Sequence, residues 1–437
     1  LPFDVDAHVT RVIEAGGGGR TIHVGRARDI EPHVRAFRRR AVAADTCVVD
    51  AADARQLAAF PTGAFDLVAC YDVMDPLEAD RRAVFFDELL RLSRRNVLLQ
   101  SQVDTREEWE AALLRRSCRK HPLHQIVTPY EGLDWSRGPS VLLFERLPAG
   151  ISTGASLADL APARDLHMDM LREAGRRADA HVARYMLARQ FIRPGDRVLD
   201  AACGLGYGSA ILADGTLAES ILGVDVDDEA VQYARDHYAR NRARLRFEPR
   251  DIATLDMLPA ASFDAVVSFE TLEHVADPDA FLAACRRLLT PAGRLVCSVP
   301  NQWVDETGRD PNPHHLHVFT REKLERACRQ HFLIERVFGQ TAGGGMKLPD
   351  ATRALWAATE SGADAEWWLL VGMTDPLAEP RPPFRSSFLD RPEDDRTPLL
   401  AFTRDYDNAW LVRAMVTIGL RSESAEVLAD LAERTLA

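Results

Sequence analysis

Two short segments of this 437-residue chain concentrate groups able to take a proton or hold an ion. The first is Glu270-Thr271-Leu272-Glu273-His274, and the second is Asn312-Pro313-His314-His315-Leu316-His317-Val318-Phe319-Thr320. An imidazole titrates near neutral pH and serves as a general base when a proton lies within hydrogen-bond reach. Carboxylates and imidazoles together form an oxygen/nitrogen ligand set that suits Mn, Fe, Co or Zn and tolerates Mg less well. Glu270, Glu273 and His274 fall within about one helical turn, so the three are expected to point the same way. His315 and His317 are two residues apart, and in an extended loop their side chains would point to opposite sides. The sequence therefore nominates His274, His315 and His317 as catalytic groups, and Glu270, Glu273, His274 and His315 as metal ligands.

These segments need a scaffold, and the residues before them supply one. Arg197 to Leu212 reads RVLDAACGLGYGSAIL, a buried strand end at Val198-Leu199-Asp200 followed by Gly204, Gly206 and Gly208 and then a helix. Glycines there permit a tight turn and let backbone approach a ligand at the carboxyl end of the first strand. Such a loop alone is shared by dinucleotide-binding enzymes. The landmarks that follow narrow the reading. ILGVDVDDEAV puts Asp225 at the end of a second strand, where a carboxylate accepts from ribose hydroxyls. LRFEPRDIATL puts Asp251 at the end of a third, where an acid accepts from an adenine amino group. FDAVVSFETLEHV is a fourth strand, and LLTPAGRLVCSVPN supplies a helix end, a turn and a fifth strand.

In this order and spacing the segment resembles the class I S-adenosylmethionine-dependent methyltransferases. The resemblance implies an α/β, Rossmann-like, seven-stranded fold, with S-adenosyl-L-methionine as cofactor. It implies cofactor contacts from Tyr185, Asp200, Ala202, Gly204, Gly206, Asp225, Val226, Asp251, Ile252 and Phe269. Ala202 stands where many relatives have a first glycine, and only a modest tightening of the loop is expected. Upstream, His181, Arg184 and Tyr185 share a helix face and resemble a His-x-x-Arg-Tyr element that closes over the cofactor's methionine end. The E-x-x-E-H pattern with a downstream H-x-x-x-[FW]-T-R resembles metal-dependent small-RNA 2′-O-methyltransferases. E-x-x-E-H also resembles ubiquinone-pathway O-methyltransferases. The loop together with Asn-Pro-x-His resembles bacterial methyltransferases that modify cell-surface polysaccharides and sugars. The implied reaction is O-methylation of a sugar, polysaccharide or glycosylated small molecule, metal-assisted or with a histidine as base. RNA ribose, a natural product, or a non-catalytic cofactor-binding scaffold or sensor remain the alternatives.

The first third of the chain looks like a second copy. FDLVACYDVMDPL from Phe65 parallels FDAVVSFETLEHV from Phe263, and a Leu-Leu helix, a turn and a strand follow each. The offset of about 200 residues indicates domain duplication rather than a short repeat. The copy's first strand, RTIHVG, runs into Arg26-Ala27-Arg28-Asp29 instead of a glycine loop, and its counterparts of Glu270, Glu273 and His274 are Asp72, Asp75 and Pro76. The expected organisation is a degenerate, non-catalytic methyltransferase-like domain over 1–150 and the methyltransferase domain over 163–376. A proline-containing linker and C-terminal helices, near Asp407–Leu420 and Ser424–Leu436, would complete it over 377–437.

Composition narrows the partners. A net charge of −12 disfavours nucleic acid, whose binding draws on clustered Lys and Arg. Arg38-Arg39-Arg40 reads as a solvated helix face. Seven scattered cysteines without a CxxC argue for a reducing compartment and against a zinc site. No apolar run reaches the roughly 18 residues a membrane span needs, and LPFDVDAHVT carries no signal pattern. A cytoplasmic protein with a small-molecule or glycan acceptor is expected, with a homo-oligomer left open. Leu1 in place of an initiator Met suggests a trimmed amino end.

Overall fold

The computed structural model describes residues 4–48, 54–101, 106–134, 140–148, 168–302, 309–343, 348, 350–358, 364–378, 422 and 424–436. Two compact units divide the chain, and they interleave along the sequence. The first comprises Leu1–Pro194, Cys203–Pro249 and Thr341–Leu355, and the second Gly195–Ala202, Arg250–Gln340 and Trp356–Ala437.

The first unit carries β1 (Thr21–Gly25), β2 (Ala44–Val48), β3 (Phe65–Tyr71), β4 (Ser93–Ser101), β5 (Cys118–Lys120) and β6 (Ser140–Arg146) in one sheet of order β2-β1-β3-β4-β6-β5. The first four neighbours are parallel, and β6 and β5 turn antiparallel. β1 is buried at every position and β3 at all but one. Near-continuous apolar runs of this kind arise where helices cover both faces of a parallel sheet. Ile22, Val24, Val68, Phe85, Leu89 and Trp109 are among its core. The unit also holds the helices Arg176–Ala188 and Tyr207–Gly215 and the parallel strands β8 (Ser220–Asp225) and β9 (Leu245–Pro249).

The second unit carries β7 (Arg197–Ala201), β10 (Phe263–Phe269), β11 (Leu289–Pro300) and β14 (Trp367–Met373), hydrogen-bonded in that order. β10 runs parallel to β7 and β11, while β14 is antiparallel to β11. Strands β12 (Leu333–Thr341) and β13 (Ala354–Ala357) complete the set. These six strands lie side by side in the order β13-β12-β14-β11-β10-β7. Helix Pro278–Leu288 starts where Asp277 accepts from the amides of Asp279 and Ala280 with Pro278 in the first turn, a start that satisfies amides the helix leaves unpaired. The helix expected from Ser424 is present as Ala425–Leu436. It seats Val427 and Leu431 on Ala292 and Met373, and Arg434 pairs with Asp375 at 2.6 Å. The expected helix at Asp407–Leu420 and the linker at 149–162 lie outside the described residues.

Corresponding hydrogen bonds recur in the two sheets. Asp66 accepts from the Arg20 amide at 3.0 Å, and Asp264 from the Arg197 amide at 3.0 Å. The Arg91 guanidinium donates to the Leu57 and Phe60 carbonyls, as that of Arg287 does to Leu255 and Leu258. Both β3/β4 and β10/β11 shift register after the opening phenylalanine, Phe65 and Phe263. This is the expected α/β, Rossmann-like fold, with mixed sheets built twice.

Candidate active site

The cofactor-loop residues fall in both units, joined by the chain itself at Ala202–Cys203. In the first unit the Gly204 amide donates to Asp225 Oδ2 at 2.8 Å, and the Asp227 amide donates to Oδ1 at 3.1 Å. Asp225 therefore sets the path of the glycine loop as well as ending β8. Gly204 and Gly206 adopt φ of 52° and 83°. A Cβ on Gly206 would stand 2.6 Å from Ala234 Cβ and 2.7 Å from the Phe247 ring, so the loop tolerates only glycine there. Gly208 admits the Tyr185 ring, which lies 1.9 Å from where a Cβ would be. Tyr185 is buried and meets Tyr207 edge-on at 5.6 Å, while the Tyr207 hydroxyl lies 3.3 Å from His181 Nδ1. Val226 leaves 68% of its surface exposed beside Asp225, an open apolar side chain at the end of β8.

In the second unit Asp200 is fully buried at the end of β7, and Ala202 adopts φ of 62°. The left-handed region is strained for a residue with a Cβ, and that is where the alanine-for-glycine departure is felt. Phe269 is buried at the end of β10, Asp251 is exposed and Ile252 half-buried.

The chemistry cluster lies wholly in the second unit. Val267 of β10 is in register with Asp200 of β7, so the corner after Phe269 and the loop after Ala201 leave neighbouring strand ends. Glu273, His274 and His315 each offer one ligand atom, all within 4.8 Å of one another. The His274 and His315 rings meet edge-on with centroids 4.7 Å apart. His274 Nδ1 lies 3.0 Å from the His314 carbonyl. A carbonyl only accepts, so Nδ1 carries the proton and Nε2 keeps its lone pair. Burial lowers the His274 pKa, with the neighbouring His315 adding to it, and the bond to His314 opposes them. The ring is thus neutral at neutral pH.

Glu270 and His317 take other roles. Glu270 adopts φ of 52°, because residues 270–274 form a turn rather than the helical stretch that equal spacing suggested. The reversed backbone sends its carboxylate to the Ser298 hydroxyl at 3.0 Å and the Trp367 indole N–H at 3.0 Å, so it is not grouped with the other three ligands. His317 Nε2 lies 3.0 Å from the Val275 carbonyl, which leaves His315 as the histidine of its loop that reaches the cluster.

Asp310 adjoins the cluster and is not among the residues that the sequence nominates. Its Oδ2 lies 2.6 Å from His315 Nδ1, and its Oδ1 accepts from the Asn312 amide at 2.9 Å. The signal was the Asp-x-Asn spacing, which favours a side-chain-capped turn.

Residues 199–297 match the family model described as the methyltransferase domain. This segment is a methyltransferase domain. The chain is similar to a "probable S-adenosylmethionine-dependent methyltransferase" of Mycolicibacterium smegmatis, 35% identical over 160 residues, or 36% of this chain and 60% of the relative. It is similar to the ubiquinone biosynthesis O-methyltransferase of Xanthomonas oryzae, 38% identical over 108 residues, or 25% of this chain and 44% of the relative. A solved Haloferax volcanii complex between the Trm112 methyltransferase activator and a methyltransferase shares 25% identity, over 51% of this chain and 98% of that one, at a TM-score of 0.36. The chain spans about half the length of the curated relatives it matches. The fold around the methyltransferase domain is the α/β, Rossmann-like methyltransferase fold. Among the described residues no helix is long and apolar enough to cross a membrane.

Proposed function

We propose that this chain is an S-adenosyl-L-methionine-dependent O-methyltransferase acting on a hydroxyl of a sugar, polysaccharide or glycosylated small molecule. The observation that carries the reading is the pair of imidazoles, His274 and His315, held beside buried Glu273 where β10 ends next to β7. Methyl transfer from a sulfonium has a good leaving group, so the protein's work is alignment of the acceptor and removal of its proton. A neutral, half-buried imidazole is suited to that proton. Transfer to oxygen is supported by the similarity to O-methyltransferases. The sugar class is supported by the resemblance of the glycine loop and the Asn312-Pro313-x-His315 motif to polysaccharide-modifying enzymes. The net charge of −12 weighs against an RNA ribose.

In this reading Gly204, Gly206, Asp225 and Val226 hold the cofactor's ribose and adenine, helped by Asp251 and Ile252, with Tyr185, Asp200, Ala202 and Phe269 lining the rest. A second reading adds an ion. One carboxylate and two imidazoles within 4.8 Å fit a three-ligand site with open positions. A divalent ion bound there would lower the pKa of an acceptor hydroxyl.

The test is calorimetry with S-adenosylmethionine, followed by turnover with hydroxyl-bearing glycans. Asp225→Ala should weaken binding by about 10- to 100-fold, since charged hydrogen bonds contribute about 1.5–3 kcal/mol. Unchanged affinity rejects the cofactor assignment, and binding without turnover on any acceptor favours a scaffold or sensor.

A further inference from the structure

We infer that Asp310 is a positioning residue for methyl transfer: it holds His315 with its proton on Nδ1 and keeps Nε2 for the acceptor hydroxyl, whose place the Asn312 amide now occupies. The inference rests on the methyltransferase reading above and names the residue behind its base. The decisive contact is His315 Nδ1 to Asp310 Oδ2, 2.6 Å apart, with both side chains largely buried. The Asn312 NH2 group can only donate to Nε2, so the ring's proton sits on Nδ1 and faces Asp310.

Asn312 reports where Nε2 points. Its Oδ1 accepts from the His314 amide at 2.9 Å, which fixes the side-chain orientation and turns the NH2 group toward His315 Nε2 at 3.1 Å. A side-chain N–H is therefore donating to the nitrogen that a base needs. An acceptor's O–H is the same kind of donor and can replace it when the Asn312 side chain rotates. Asp310 also accepts from the Asn312 amide at 2.9 Å, so the loop stays anchored when that rotation occurs. The other imidazoles of this loop are used differently: His317 faces the Val275 carbonyl, and His314 is exposed.

In the reaction the acceptor O–H gives its proton to His315 Nε2. The oxygen's electron pair forms the new O–CH3 bond, and the S–CH3 bond breaks with its pair returning to sulfur. The sulfonium leaves as a neutral thioether, and the imidazolium so formed faces Asp310, which stabilises it until the proton passes to water.

Three measurements on the full chain test this. In 15N-histidine NMR spectra without substrate, His315 should show the Nδ1–H tautomer. Asp310→Asn should lower kcat by about 10²- to 10⁴-fold, with S-adenosylmethionine affinity unchanged by calorimetry and part of kcat restored in Asp310→Glu. Asn312→Ala should keep the tautomer and leave the acceptor KM equal or lower. An Nε2–H tautomer in the native protein, or kcat within twofold of native in Asp310→Asn, overturns the assignment; a raised KM in Asn312→Ala overturns the placeholder role. If the native chain binds no cofactor, the methyltransferase reading fails, while the tautomer still decides whether Asp310 sets His315. If Asp310→Asn does not fold, the native tautomer and the Asn312→Ala result carry the decision.

Discussion

Asp72 and Glu270 hold the same left-handed corner at the ends of corresponding strands, with φ of 57° and 52°. Each backbone amide donates to the next strand, Asp72 to the Gln100 carbonyl at 3.0 Å and Glu270 to the Ser298 carbonyl at 3.2 Å. Each carboxylate then accepts from the same strand position, Gln100 Nε2 at 3.1 Å and Ser298 Oγ at 3.0 Å. The same left-handed corner thus recurs with the same partners at the ends of the two corresponding strands. The copies part at the cofactor loop. Sheet register puts His23 at the position of Asp200 and Gly25 at that of Ala202, and the chain enters the helix Ala27–Arg39 two residues later. A Cβ on Gly25 would meet Ile30 at 2.7 Å, because that helix already packs where a loop would open.

The first prediction follows from that packing. One S-adenosylmethionine should bind per chain, and Asp225→Ala should weaken that single site by about 10- to 100-fold in calorimetry. A stoichiometry of two would assign the amino-terminal copy a working cradle.

The second concerns the loop's two small residues. Ala202→Gly should be neutral or stabilising by up to about 1 kcal/mol, because glycine adopts the left-handed conformation without a clash while the unfolded chain gains freedom. Gly206→Ala should cost about 2 kcal/mol or more, from strain at φ 83° plus the overlap with Ala234 and Phe247. Urea denaturation of both variants checks the contrast; equal effects would mean that the loop rearranges freely.

The third separates the acids of E-x-x-E-H. Glu273→Gln and His315→Gln should each weaken Mn or Co binding at least tenfold in equilibrium dialysis, an effect comparable to losing a metal ligand or its support. Glu270→Gln should change it less than twofold and instead loosen the Trp367 and Ser298 bonds, lowering stability by about 1–3 kcal/mol. If activity survives exhaustive EDTA treatment and no divalent ion raises it, the ion plays no part and the imidazole works alone.

Much of this was legible in the sequence because it rests on periodicity and order. Phe263–Phe269 and Phe65–Tyr71 read as buried strands from their apolar runs, and spacing alone places the Gly204 loop, Asp225 and Asp251 at or just past strand ends. Side-chain alternation favours His315 over His317, and the two do diverge. Spacing groups Glu270 with Glu273 and His274 because it carries no trace of a left-handed φ, which depends on hydrogen bonds to a strand about 28 residues later. Asp310 was missed because a loop acid acts through the turn it makes, and turns leave no periodic trace.

The last prediction concerns acid. His8, His23 and His33 are buried in the amino-terminal copy, where the His33 ring stacks on Tyr71 at 4.2 Å and meets His8 edge-on at 5.7 Å. Burial holds their pKa values to about 3, about 3 and about 4, with charge on His33 and on Arg11 or Arg38 adding to the first two. His124 and His237 are held to about 3, again chiefly by burial. All five folded values lie below the ordinary 6.5, so between about pH 6.5 and 4 the unfolded chain binds more protons than the folded one. Stability therefore rises with pH across that window and falls as pH drops through 6.5. Each neutral histidine costs the fold about 2 kcal/mol at pH 5, so the five together are comparable to the about 5–15 kcal/mol that stabilises an ordinary domain. The protein should unfold between about pH 6 and 4, as followed by circular dichroism. His33→Phe keeps an aromatic ring against Tyr71 and removes one proton from the balance. It should reduce the slope of unfolding free energy against pH by about 1.4 kcal/mol per unit. An unchanged slope would show that His33 is protonated in the folded protein and that burial does not control it.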